Sequence, residues 1–266
     1  MYSVNYHRAT SVADALKLQK KGEDAKFLSG GMTLIPAMKS RLAAPSDLVD
    51  LAHIKEMKGI KVSGKTVTIG GATTHFEVAS DTKLKAVCPA LCDMAAHIGD
   101  PHVRHKGTIG GSIANNDPAA DYPAAMVAMG ATIITNKREI AAEKFFTGLF
   151  ETALKDGEIV TGVSFTAPAK AGYEKFRNPA SRYAIVGVFA AQGKDGVRVA
   201  VTGAGDEGVF RAKSLETLLA KSFSPAALDG ATVSAKALMS DMHASADYRA
   251  SLIVVMAKRA VAKASG

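Results

Sequence analysis

The chain has 266 residues, enough for two modest domains or one large one. Hydrophobic residues make up 47% and charged residues 22%, the composition of a globular protein with a real core. The formal charge of +8 is spread along the chain rather than gathered in a tract, tryptophan is absent and aromatics are only 6%, which argues against a stacking platform for single-stranded nucleic acid.

The first eight residues contain no apolar signal core, and no apolar run approaches the roughly 20 residues of a membrane span. A cytoplasmic protein without a membrane span is the expectation, with peripheral association left open. Cys88 and Cys92 are four residues apart, the wrong spacing for a redox Cys-x-x-Cys pair. Two thiols are also too few for an iron–sulfur cluster, which takes about four ligands. They read as buried free thiols.

In chain order, Ser11 caps a helix over residues 10–22, with Val12, Ala15, Leu16 and Gln19 on one stripe. A buried strand over 25–28 leads into Ser29-Gly30-Gly31-Met32-Thr33, and a helical or irregular stretch covers 34–42. A strand at 48–51 precedes a hairpin of 60–62 with 66–70. Thr74 and Glu77 form a capping box. A helix over 86–98 ends at Gly99-Asp100-Pro101. The second glycine pair follows at 110–111, then a helix over 123–129 and a strand over 131–135.

Strands are expected at 159–165 and 173–177, and a hairpin of 184–191 with 197–202. Helices over 213–221, 225–239 and 247–263 close the chain, the last with Tyr248, Leu252, Val255, Met256 and Arg259 on one stripe. There is no internal repeat. A soft boundary at 167–172 separates an α/β first part from hairpins followed by helices, so the class is α+β with mixed sheets.

The two glycine pairs, about eighty residues apart, carry the strongest chemical signal. Glycine lets a backbone approach a ligand closely, and successive N–H groups in such turns form an anion site. Two such segments gripping one diphosphate suggest a dinucleotide. Neither is the Gly-x-Gly-x-x-Gly of a Rossmann fold or a P-loop. Alone, the first pair reads as a tight strand-to-helix turn. The second gathers Thr108, Gly110, Gly111, Ser112 and Asn115 within eight residues. Asp121 has two readings, a hydrogen-bond acceptor for a ribose hydroxyl or the N-cap of the following helix. His97, His102 and His105 lack recognised metal-ligand spacing and read as loop or surface residues. No nucleophile–histidine–acid motif is present.

Residues 28–41, Leu-Ser-Gly-Gly-Met-Thr-Leu-Ile-Pro-Ala-Met-Lys-Ser-Arg, and 107–124, Gly-Thr-Ile-Gly-Gly-Ser-Ile-Ala-Asn-Asn-Asp-Pro-Ala-Ala-Asp-Tyr-Pro-Ala, carry a family resemblance. The chain resembles, over essentially its whole length, the FAD-binding medium subunit of molybdenum hydroxylases. The type is that of aerobic carbon monoxide dehydrogenase, related to xanthine dehydrogenase. The resemblance implies a vanillyl-alcohol-oxidase-type FAD-binding fold of two α/β subdomains over about 1–58 and 59–167, plus a C-terminal α+β domain of the carbon monoxide dehydrogenase flavoprotein type over 168–266. It implies non-covalent FAD contacts at Leu28, Ser29, Gly30, Gly31, Met32, Thr33, Leu34 and Ile35, and at Thr108, Ile109, Gly110, Gly111 and Ser112. Asn115 and Asp121 match further cofactor positions. Ile98 matches one near the flavin, Val160 one near the adenine or ribose, Lys175 a basic one and Tyr183 one against the isoalloxazine. Met32 stands where the family often has a polar residue, while Thr33 keeps a hydroxyl.

The resemblance also implies partners. These are a large molybdopterin-binding subunit and a small subunit with [2Fe–2S] clusters, arranged as a dimer of heterotrimers. Electrons from the clusters would reach FAD on this chain and pass to a quinone, NAD⁺ or oxygen. Two alternatives stay open, a stand-alone flavin oxidoreductase of the same fold and a non-enzymatic nucleotide-binding module.

Overall fold

The computed structural model describes residues 1–265 and builds three units along the chain. In the first, β1 (Asn5–Arg8), α1 (Val12–Gln19), β2 (Ala25–Leu28), α2 (Leu34–Lys39) and β3 (Asp47–Asp50) form a three-stranded parallel sheet, ordered β1-β3-β2. Ser11 caps α1 as expected, accepting from the Asp14 amide. Ala9, Ala15, Val49, Leu51, Ile54 and Met57 make a small core beneath this sheet.

The second unit pairs β4 (Ile60–Ser63) with β5 (Thr66–Gly70) and then inserts a run of short helices. These are α3 (His75–Ser80), α4 (Thr82–Val87), α5 (Pro89–Ala96), α6 (Pro101–Lys106), α7 (Ile109–Asn115) and α8 (Tyr122–Ala128). β6 (Thr132–Thr135), β7 (Glu139–Ala141), α9 (Ala142–Phe145), β8 (Phe146–Gly148), β9 (Glu151–Thr152) and β10 (Val160–Thr166) complete it. The five-stranded antiparallel sheet runs β4-β5-β10-β6-β7. Val67, Ile69 and Val163 from its strands pack with Leu91, Ile109 and Ile113 from the helices.

The third unit is a four-stranded antiparallel sheet, β11 (Lys170–Arg177), β12 (Ala184–Gly193), β13 (Gly196–Thr202) and β14 (Phe210–Arg211), with α10 (Lys213–Lys221) and α11 (Ala246–Ser265). Alternation along β12 divides its side chains between two cores. Val186, Val188 and Ala190 face α10 and α11, while Phe189 and Ala191 join the helices of the second unit. A strand covered on both faces reads as a near-continuous apolar run, which is how it stands in the sequence. The expected β12–β13 hairpin turns through Lys194 and Asp195, with Gly196 at φ +96°.

Four expectations are corrected. The helix over 86–98 is two helices, because Pro89 pushes Cys88 out of the helical region (φ −147°), so α4 ends and α5 begins there. The glycine pair at 110–111, expected in an anion-binding turn, lies in the first turn of α7, capped by Thr108. The helix over 225–239 does not form. A single 3₁₀ turn, Pro225–Leu228, precedes Gly230 at φ +73°, a conformation incompatible with continuing a helix. The stripe on α11 is rotated. Leu252, Ile253, Met256, Ala257, Ala260 and Val261 face the core, leaving Tyr248, Val255 and Arg259 exposed. Among the described residues, no helix is long and apolar enough to cross a membrane.

Gly172 shows how closely α11 lies on β11, since a Cβ there would strike the Ala260 carbonyl oxygen. Gly172→Ala is therefore expected to destabilise the protein by ~1–3 kcal/mol, the usual cost of forcing atoms into a filled core. Thermal unfolding of the variant checks it.

Candidate functional site

A cleft of about 990 Å³ opens where the three units meet. The first unit lines it with residues 28–34, the second with Ile98, Thr108, Gly110–Ser112, Asn115, Asp121 and Val160, the third with Tyr183. The two glycine segments touch. The hydroxyls of Ser29 and Thr108 lie 2.7 Å apart, and a Cβ at Gly30 would run into the Lys106 carbonyl and come within 2.6 Å of the Gly107 Cα.

Each glycine has a separate reason to be glycine. Gly30 permits that close approach, and Gly31 turns the chain at φ +71°. Gly110 packs on the Gly71 backbone, where a Cβ would sit 2.6 Å from the carbonyl oxygen. A Cβ on Gly111 would meet Thr108 Oγ1 at 2.9 Å and Ser29 Cβ at 3.7 Å.

The hydrogen bonds alter the expected chemistry of the second segment. The amides of Ile109 and Gly110 donate to the carbonyls of Thr73 (3.0 Å) and Gly71 (2.9 Å). The Gly111 amide donates to Thr108 Oγ1 at 3.1 Å. These N–H groups hold the protein together, and the groups left at the cleft are the Ser112 hydroxyl and the Asn115 side-chain amide beside the Ser29–Thr108 pair. In the first segment, Thr33 makes no side-chain capping bond, so its hydroxyl is not spent on α2.

Asp121 does not cap α8. Its backbone is already helical (φ −78°, ψ −41°), which aims the side chain away from the α8 amides. Instead the buried carboxylate accepts from the Tyr173 hydroxyl and from Lys175 Nζ at 3.0 Å. Only 5% of either the Lys175 or the Asp121 side chain is exposed. Burial pushes the Asp121 carboxyl upward against the pull of the lysine, and pushes the Tyr173 hydroxyl well above its usual range. Nearby, the single Thr202 hydroxyl proton is shared between the carbonyls of Ala120 (2.7 Å) and Pro118 (3.0 Å), and the Gly203 amide donates to Pro118 (2.8 Å). The segment 117–121 is thus the joint between the second and third units.

Ile35, Ile109 and Lys175 do not line the cleft. Ile35 backs Gly31, Ile109 is fully buried beneath α7, and Lys175 is committed to Asp121. Met32, Leu34, Ile98 and Val160 line it, and Tyr183 stands at it 46% exposed. The three histidines are not brought together into a site. His97 hydrogen-bonds back to the Asp93 carbonyl, His102 is almost fully exposed and His105 stacks on Phe76 at 4.1 Å. Among the described residues, no His, Cys, Asp or Glu group is arranged to hold a metal ion.

Sequence reasoning missed Glu158, His75 and Arg182, all at the cleft. Glu158 accepts from Arg138 Nε (2.8 Å) and NH2 (2.9 Å), which holds its carboxyl down at about 2. His75 is buried, and its Nδ1 has no hydrogen-bond partner. Burial, then the charge of Arg104, lowers His75 from 6.5 to about 4. The capping box places His75 on a helix but carries no signal of which way it faces. Arg182 reaches from the third unit to donate to the Gly99 carbonyl at 3.1 Å.

Two consequences are measurable. Lys175→Met strands a buried carboxylate, so a loss of ~3–5 kcal/mol is expected, partly recovered by adding Asp121→Asn. Denaturant unfolding of the single and double variants reads both effects. For His75, the unfolded chain takes up a proton near 6.5 while the folded chain does so only near 4. Stability therefore falls as pH drops through that window and levels off below it. His75→Gln should remove that part of the slope in unfolding curves recorded across the window.

Two family models match the chain. Residues 2–168 match the FAD binding domain in molybdopterin dehydrogenase, and residues 171–264 match the CO dehydrogenase flavoprotein C-terminal domain. The carbon monoxide dehydrogenase medium chain of Hydrogenophaga pseudoflava is 34% identical over 96% of this chain and 95% of its own. The solved carbon monoxide dehydrogenase of that organism, lacking the Mo-pyranopterin moiety of its cofactor, superposes with a TM-score of 0.88 at 33% identity, covering 99% of this chain and 98% of that one. Quinoline 2-oxidoreductase from Pseudomonas putida 86 gives 0.87 at 28% identity, covering 99% and 97%. The two glycine segments, the three-unit fold and these matches together make the chain a member of the FAD-binding medium-subunit family of molybdenum hydroxylases, of the carbon monoxide dehydrogenase type.

Proposed function

We propose that FAD lies along the cleft with its diphosphate where the two glycine segments meet, and that this chain relays electrons within a larger complex. The single observation that carries the reading is the convergence of residues 28–34 and 108–112 on one cleft, with the Ser29 and Thr108 hydroxyls 2.7 Å apart at its centre. Its volume of about 990 Å³ stands at the upper end of the roughly 300–1,000 Å³ usual for small-molecule sites, as a dinucleotide requires. Residues 1–167 hold the cofactor and residues 168–266 close one end of the cleft.

In this reading Ser29, Thr33, Thr108 and Ser112 offer hydroxyls to the diphosphate. Ile98 and Tyr183 flank the isoalloxazine, and Val160 lies toward the adenosine half. Lys175 neutralises Asp121, so that carboxylate does not face the phosphates bare. That is an indirect role, in place of the direct contact expected of Lys175. Bound FAD supplies the redox chemistry; the protein orients it and shields it from water. A small subunit with [2Fe–2S] clusters delivers the electrons, a large molybdopterin subunit generates them, and two such heterotrimers pair. The complex works in the cytoplasm.

Gly111 supplies the test, because its added carbons would meet the Thr108 hydroxyl and the Ser29 Cβ, whereas Gly30 and Gly110 would meet backbone and Gly31 stands at φ +71°. The complex should purify with a flavin absorption spectrum that denaturation releases. Gly111→Val should lower FAD content or affinity at least tenfold while leaving the melting temperature of the FAD-free chain within a few degrees. A wild-type complex without flavin, with added FAD failing to bind, would sink the reading.

A further inference from the structure

At the Tyr183 end of the cleft, the third unit holds two guanidinium groups in an unusual way. β11 ends in a register shift against β12 between Phe176 and Arg177, and such irregularities re-aim the side chains beside them. The chain then makes a tight loop. The Asn178 amide donates to the Tyr183 carbonyl (2.8 Å), the Arg182 amide donates to the Asn178 carbonyl (2.9 Å), and Asn178 Oδ1 accepts from the amides of Ala180 (2.9 Å) and Ser181 (3.2 Å). This loop places Arg182 at φ +63°, in the left-handed region that glycine occupies most easily. Strain of that kind on a residue with a side chain is a feature to be explained.

The explanation is where the side chain goes. Arg182 crosses to the second unit, donates one N–H to the Gly99 carbonyl, and lines both the main cleft and a second hollow of about 520 Å³. Arg177 and Pro179 line the same hollow. Among the described residues, no carboxylate lies within ion-pair distance of either guanidinium. Asp100 is near enough for Arg182 to help lower its pKa, but its carboxylate is engaged in capping α6 through the Val103 amide at 2.9 Å. Two exposed forked cations therefore line one open hollow with most of their donors free, and Arg182 joins that hollow to the cleft that Tyr183 also lines. Planar guanidinium forks suit oxyanions, phosphates above all.

We propose that Arg177 and Arg182 form a subsite for a phosphate or diphosphate group on the external electron acceptor. The inference rests on the FAD reading, which puts the isoalloxazine at this end of the cleft. It adds that the acceptor is a phosphate-bearing molecule held beside the ring, rather than a neutral quinone. The strained conformation of Arg182 keeps its guanidinium over the hollow, and the bond to Gly99 ties that position to the second unit.

The FAD-loaded complex is titrated with inorganic pyrophosphate by calorimetry at low ionic strength. Wild type should show one saturable site, weakened at least tenfold in Arg177→Gln and in Arg182→Gln. Arg182→Gly relieves the left-handed strain, so its melting temperature should not fall although binding does, which separates recognition from folding. Pyrophosphate should also compete with a nicotinamide dinucleotide acceptor and leave turnover with a neutral quinone untouched. Equal binding in wild type and variants, no saturable binding in wild type, or turnover with the neutral quinone alone overturns the proposal. Flavin content is measured in the same samples. Full flavin with unchanged pyrophosphate binding defeats this subsite and leaves the FAD reading standing, while absent flavin defeats both.

Discussion

The approach of Gly30 to the backbone of Lys106 and Gly107 is the contact on which the cleft depends. It presses the turn after a parallel strand of one unit against the entrance to a helix of another, 79 residues away by the Ser29–Thr108 pairing. A side chain at position 30 would wedge the two apart. The Ser29–Thr108 hydrogen bond, the cap on α7 and the seating of Gly110 on Gly71 all lie within a few residues of that approach. The Ile109 and Gly110 amides are spent on the Thr73 and Gly71 carbonyls, so the second glycine segment is foremost a packing element that brings hydroxyls to the cleft.

The third unit is tied on by polar groups as well as by the shared core. Segment 117–121 gives carbonyls to Thr202 and Gly203 and a carboxylate to Tyr173 and Lys175. Removing these groups from water is costly unless every one finds a partner. Here they do, and the result is a joint with a defined orientation. That orientation places Tyr183 and Arg182 at the cleft while their loop remains on the protein surface.

Local elements were the most legible part of the chain. Ser11 and the Thr74–Glu77 box stand as read, and the strand over 25–28 forms although it is only part-buried, because caps and short strands depend on neighbours within a few residues. The misreadings have local causes too. Pro89 splits a run whose apolar rhythm continues through it, and Gly230 ends a run that composition alone would extend. The stripe on α11 was misplaced because its inner face is built largely from small residues such as Ala257 and Ala260, which pack closely on β11 and give little periodic signal.

Of the cleft, the sequence by itself determined which segments take part. Glycines, hydroxyls and the Asp-Pro-Ala-Ala-Asp run mark residues 28–34 and 108–121 without any knowledge of distance. What only the tertiary structure decided is what each polar group faces. Asp121 could read as a ribose acceptor or a cap and is instead buried against Lys175 and Tyr173. His75 and Arg182 carry no local mark and stand at the cleft. The physical reason is range. Backbone conformation is set by steric and hydrogen-bonding terms between near neighbours, whereas the partner of a charge or a hydroxyl is whatever the packing of distant elements brings within about 3 Å.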